Sequence, residues 1–169
     1  MIQTLFYRLM TMLLVIFLQV FLFNNINLWG YAVPLLGVMV LFRTPLNTGC
    51  ICNMFMAFVT GIVLDAFSNT PGVAAGAMTA TAFVQYFVLH AMAPKDAVED
   101  AVPDRRMLGQ YKYFWYMAIL FAVHHLLYFM LEAFSFFNLT DLALRFAGSY
   151  ILSLALAWIM EMLRPSKVQ

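Results

Sequence analysis

Gly61-Ile62-Val63-Leu64-Asp65-Ala66-Phe67-Ser68-Asn69-Thr70-Pro71-Gly72 is a short polar turn between two long apolar runs. One run reaches back to about residue 49 and the other continues to about residue 92. Each approaches the roughly 20 residues that an α-helix needs to cross a bilayer. Neither shows the polar face of a water-bathed surface helix, so the pair reads as a hairpin of membrane helices. The fold follows from extending this pattern in both directions.

Four further apolar stretches flank the hairpin, so that spans are predicted at about 5–23, 27–42, 49–67, 71–92, 113–133 and 142–163. This predicts an all-α membrane protein, a bundle of about six transmembrane helices forming a single polytopic domain over 1–169. Composition agrees. Of 169 residues, 64% are hydrophobic and only 10% charged, against about 25% charged in an ordinary soluble domain. A soluble domain of this size has too much surface to hide so much apolar area. The net charge of +1 argues against nucleic acid as a partner, which would demand a basic patch.

The first stretch ends in Asn24-Asn25 rather than a small-x-small cleavage site, which predicts a retained anchor. The second is short and carries Pro34 and Gly37, which predicts a kink or a tilt. The hydrophilic segment 93–112 mixes Lys95, Arg105, Arg106 and Lys112 with Asp96, Glu99, Asp100 and Asp104. Its charges cancel, which predicts a solvated cytoplasmic loop and not a lipid-binding basic tail.

Eight of the nine Lys and Arg residues fall on the side shared by the two termini, and Arg145 alone lies near the other. This predicts cytoplasmic N- and C-termini. Trp29 and Tyr31 suit the outer boundary, and Tyr113, Trp115 and Trp158 the inner one. Small residues at Gly72, Gly76 and Ala80, and at Ser149, Ser153 and Ala157, predict close packing of helices within the bundle.

Candidate functional residues lie in two groups. At the outer turn, Thr70 is placed to cap the following helix with Pro71 at its first position. Asp65 falls in a last helical turn, where the helix dipole disfavours a carboxylate. It therefore needs a partner, either the amides of the next helix start or another span. The second group is His124, His125 and Glu132 in the fifth span. His125 and Glu132, seven apart, share a face that His124 does not. Ionisable residues at membrane depth usually face the bundle interior. The plainest reading is a buried hydrogen-bond network tying the fifth span to the third, helped by Gln19, Asn53 and Gln85.

Cys50 and Cys52 are two apart and read as packing residues. Asn138-Leu139-Thr140 matches a glycosylation acceptor only as a three-residue pattern. No phosphate loop, nucleophile elbow, metal cluster or dinucleotide fingerprint occurs, and no catalytic, cofactor or metal residue is assigned.

Several features in order resemble the bacterial rod shape-determining protein MreD family. They are the G-x-x-x-D-x-x-S-x-x-x-G pattern of Gly61, Asp65, Ser68 and Gly72, the Asn25-to-Pro34 segment, and the His124-to-Phe137 run. The family's signature falls on Asp65, Ser68, Thr70, Pro71 and Gly72. Asn69-Thr70-Pro71 stands where other members often have Gly or Ser followed by Thr-Leu.

The resemblance implies a non-enzymatic, multi-pass inner-membrane component of the cell-elongation machinery. Its partners would be an MreC-type protein and, beyond it, MreB filaments, the RodA polymerase and a penicillin-binding transpeptidase. It also implies an architecture similar to the substrate-binding subunits of energy-coupling-factor vitamin transporters. A small-molecule binding subunit of a transporter is the alternative function. A proton-coupled carrier would need Glu132 or a histidine to titrate near neutral pH.

Overall fold

The computed structural model describes residues 2–21, 33–98, 100–133 and 139–163. The five α-helices are α1 (Ile2–Phe21), α2 (Cys50–Ser68), α3 (Val73–Met92), α4 (Gln110–Ala133) and α5 (Leu139–Leu163), and a 3-10 helix (Gly37–Arg43) lies between α1 and α2. No strand occurs among the described residues. Among the described residues, four helical segments are long and apolar enough to cross a membrane: α2, α3, α4 and residues Thr140–Leu163 of α5. In α1 an apolar stretch runs over Met12–Phe21. Leu13, Phe17, Ile51, Phe55, Phe67, Phe87, Leu144 and Ile151 all point outward. So much outward apolar area suits a chain solvated by lipid.

Helices α2, α3 and α4 form the centre of the bundle. α3 lies between the other two, and α5 packs on α4. α1 packs on α2 and on the 3-10 helix. Close approach of α2 and α3 depends on one residue. A Cβ at Gly61 would stand 2.4 Å from Cα of Ala75 and 2.7 Å from its nitrogen, so only glycine fits there. One end of the bundle carries the α2–α3 turn, and the other carries the loop between α3 and α4.

The sequence predicts a second membrane-spanning α-helix over 27–42, and the structure differs. Residues 33–36 have no regular secondary structure and are buried or nearly so, and the chain then winds into the 3-10 helix. Residues 27–32, with Trp29 and Tyr31, lie outside the described residues, as do Asn25, Phe134 to Asn138, Arg164 and Lys167. The physical reason is a competition for backbone groups. Pro34 has no N–H, and the amides beside it are taken by side chains of other helices. The amide of Val33 donates to Ser149 Oγ at 3.0 Å, and that of Leu35 to Ser153 Oγ at 2.9 Å. Gln19 accepts from the Leu36 amide at 2.7 Å and donates to the Pro34 carbonyl at 2.9 Å. Irregular backbone at membrane depth is tolerated where it is buried in protein and satisfied in this way.

The 3-10 helix wedges its apolar side into the core. Val38, Leu41 and Phe42 are buried, and the Phe42 ring lies 5.7 Å from Tyr116 and 5.6 Å from Phe121. Seven residues is long for this helix type, whose hydrogen bonds are poorer than those of an α-helix. Its stability comes from packing.

The predicted solvated loop is folded and tied down. Leu46 donates its amide to Ala101 at 3.1 Å, and Asn47 hydrogen-bonds Asp100. Asp104 accepts from the amides of Arg106 and Met107, at 2.9 and 2.7 Å, and shapes a turn that sends Leu108 into the core.

Candidate functional site

The site with the most built geometry is the α2–α3 turn. Asp65, 5% exposed, directs both carboxylate oxygens at the start of α3. Oδ1 accepts from the Ala74 amide at 2.8 Å and the Thr70 hydroxyl at 3.0 Å. Oδ2 accepts from the amides of Ala75 at 2.9 Å and Gly72 at 3.1 Å. The orphan donors of a helix start are thus filled by a carboxylate, where the helix dipole favours negative charge. Gly61 and Asp65, one turn apart on α2, act together. The glycine lets the start of α3 come close, and the aspartate binds it.

This geometry corrects the expected cap. Thr70 does not cap α3, and Pro71 is not its first residue. The helix starts at Val73 behind Gly72, whose φ of 85° belongs to the left-handed region, and no side chain of Gly72 or its neighbours supplies the N-cap bond. Thr70 instead donates to Asp65, and its carbonyl accepts from Val73 at 3.2 Å. Asn69 closes α2 at φ 55° and ψ 37°, with its amide on the Asp65 carbonyl. Asparagine is among the few residues that adopt this conformation readily. The turn is therefore built without a second glycine before Thr70. Asn69, Pro71 and Gly72 are exposed, and Ser68 is half-buried. From α4, Tyr128 comes within interaction range of Thr70 and Asp65, which brings a third helix up to the cluster.

The second predicted group is dispersed. His125 is fully buried, with Nδ1 2.8 Å from the Phe121 carbonyl and Nε2 3.0 Å from Ser153 Oγ. The Phe121 carbonyl can only accept, so Nδ1–H donates to it, and in the neutral ring Nε2 then accepts from the Ser153 hydroxyl. This proton placement is inferred from the pattern of partners. His125 thereby ties α4 to α5 and, through Ser153, to the irregular segment 33–36, not to α2. His124 is buried on a neighbouring face, its ring 6.2 Å from Tyr128, and its Nδ1 has no hydrogen-bond partner among the described residues. Glu132 stands exposed at the turn end, within electrostatic reach of Arg145 on α5. Asp65, His124, His125 and Glu132 do not share one network.

Two clusters were not anticipated as such. Thr44 donates to Asn53 at 2.9 Å, Asn53 donates to Gln85, and Gln85 donates to Tyr116 at 2.9 Å. All four are buried, and the chain stitches the start of α2 to α3 and α4. At the same end Glu161, 3% exposed, lies 3.6 Å from Arg43. The signal for Glu161 is its spacing. With Ser149, Ser153 and Ala157 it forms the buried stripe of α5, four residues apart throughout. A carboxylate on a buried stripe needs a cation opposite.

No family model, no curated protein and no solved structure matches this chain.

Proposed function

We propose that the chain is a non-enzymatic scaffold of the bacterial cell-elongation complex, set in the inner membrane with both termini cytoplasmic. It maintains rod shape by binding an MreC-type protein, and through it connects to MreB, RodA and a transpeptidase of lateral peptidoglycan synthesis. The observation that carries the reading is the construction of the α2–α3 turn. The residues that resemble the MreD signature serve to hold one exposed turn in a fixed shape. A carboxylate with four donors and a glycine at a helix contact give the loop a rigid base. Asn69 and Pro71 are left facing outward on that base. A preorganised surface of this kind lowers the ordering cost of binding a partner.

The alternative is a vitamin-binding transporter subunit. It draws support from the buried non-helical segment 33–36, because transporters place substrate sites at broken helices. Here, however, the segment's amides are already taken by Gln19, Ser149 and Ser153. The cleft lined by Met12, Val40, Arg43, Thr44 and Asn53 has about 10 Å³ of room. Small-molecule sites run to roughly 300–1,000 Å³.

The test is affinity purification of the tagged chain from its host in mild detergent, followed by mass spectrometry. The scaffold reading expects an MreC-like protein in stoichiometric amount. An Asn69→Gly, Pro71→Ala double variant keeps the backbone conformations of the turn and removes its outward side chains. It should cut that recovery at least tenfold. Unchanged recovery sinks the role of the turn, and a vitamin with an ATPase module in place of MreC overturns the scaffold.

A further inference from the structure

The hydrogen-bond chain at the loop end runs in one direction, and Asn53 fixes it. The side-chain nitrogen of Asn53 faces two acceptors, the Ala82 carbonyl at 3.3 Å and Gln85 Oε1, so its oxygen is the atom that faces Thr44. The Thr44 hydroxyl therefore donates, at 2.9 Å, and Gln85 in turn donates to Tyr116 at 2.9 Å. Every link passes its donor toward Tyr116, and Thr44 stands first. A hydroxyl has one hydrogen and two acceptor lone pairs. Thr44 is 3% exposed, and no donor among the described residues reaches those lone pairs.

The small cleft of this end lies at that first member. Thr44, Asn53 and Arg43 line it on the polar side, and Met12, Val40 and Ala57 on the apolar side. Its room of about 10 Å³ is close to the least that admits one water, and it admits nothing larger. A water there meets two acceptors, because Thr44 Oγ1 and Asn53 Oδ1 each keep a lone pair beside their shared bond. Ions of similar size are disfavoured. Among the described residues no carboxylate lines the cleft to hold a cation, and chloride is larger than water.

We infer that the cleft holds one ordered water, which donates to Thr44 Oγ1 and heads the chain from Thr44 to Tyr116. Hydrogen bonds in a chain polarise one another, so a donor supplied at the first member strengthens the links behind it. The cleft lies where the 3-10 helix meets α1 and α2, so the water binds at the seam of three elements. The scaffold reading requires nothing of this cleft, and the two stand apart.

X-ray radiolysis of the full chain in lipid nanodiscs tests the inference, because a bound water generates hydroxyl radical in place and oxidises the side chains around it. Methionine passes readily to its sulfoxide. Met12 borders the cleft and Met39 does not, and both are 7% exposed. Met12 should be oxidised several-fold faster than Met39, at a rate that a soluble radical scavenger leaves unchanged. Oxidation of the exposed Met162 should fall with the same scavenger. Ala57→Val, which fills the cleft, and Thr44→Val, which removes the acceptor, should each bring Met12 down to the Met39 rate. The comparison within the wild-type chain decides the matter even where a variant fails to fold. Equal rates at Met12 and Met39 overturn the proposal. So does a Met12 rate that the scavenger suppresses, or one that survives both substitutions.

Discussion

A glycine and an aspartate one turn apart set the geometry of the α2–α3 hairpin, and they do so for different reasons. Gly61 is required by sterics, because backbone atoms of Ala74 and Ala75 occupy the space of its missing Cβ. Gly61→Ala must push two helices apart, since no side-chain rotation relieves a clash with backbone. The expected loss is about 3 kcal/mol, the upper end of overpacking effects, read as a lower unfolding midpoint in detergent. Asp65 is required by hydrogen bonding. Asp65→Ala strands the amides of residues 72, 74 and 75 and should destabilise the hairpin by about 2 kcal/mol or more. Asp65→Asn keeps one oxygen acceptor and should recover part of that loss. If alanine and asparagine melt alike, the carboxylate is not holding the start of α3. A cell-shape defect in Asp65→Ala would accordingly report folding before it reported partner contact, so the exposed Asn69 and Pro71 are the better probes of binding.

Among the elements, α2, α3, α4 and α5 are legible in the sequence because each is a long apolar run with few interruptions, and length alone separates a membrane helix from a core segment. The stretch around Pro34 is not legible in the same way. Its composition matches a helix, and what unwinds it lies elsewhere, at Gln19, Ser149 and Ser153. Such a competition depends on which helices are neighbours, which a single sequence does not state. The serine stripe of α5 was readable as a spacing, but small packing residues and hydroxyl donors have the same spacing. The Asp65 partner was foreseeable as one of two options, and the Thr70 cap failed because two candidate caps stood within six residues of each other. Two substitutions test the element. Ser153→Ala should leave the Leu35 amide and His125 Nε2 without partners. Gln19→Leu should free the Leu36 amide and the Pro34 carbonyl. Each should cost about 0.6–1.7 kcal/mol, the span measured for hydrogen bonds between membrane helices. Faster amide exchange confined to Leu35 and Leu36 is the signature to look for, and uniform exchange across the bundle would contradict it.

Across the whole molecule, polar contacts are sorted by depth. The Asp65 cluster sits at the turn end, the His125–Ser153 bonds in the middle, and the Thr44–Asn53–Gln85–Tyr116 chain with Arg43–Glu161 at the loop end. The first and third tiers both join α2 to α3, the third reaching α4 as well, and the second joins α4 to α5, so the bundle is cross-braced at three levels where lipid offers little drive for helices to associate. Glu161→Gln should weaken the contact of α5 with the 3-10 helix. The effect should stay below the 3–5 kcal/mol of a fully buried pair, because the Arg43 side chain is 27% exposed and can reach solvent. Selective loosening of α5, measured by limited proteolysis at its Leu163 end, is expected, and proteolysis within α2 or α3 is not.

The carboxylate at the end of α2 also bears on how the hairpin enters the bilayer. When two helices thread into a membrane together, the turn between them travels to the far side, and whatever charge it carries travels with it. A lone aspartate at mid-bilayer costs about 2.5–3.5 kcal/mol on insertion scales. Asp65, however, is surrounded by four donors from within its own turn and the helix that follows. Those donors can substitute for water before the crossing is complete. With both termini cytoplasmic, as proposed, the turn carries its own solvation shell across, and α2 and α3 are expected to enter lipid together.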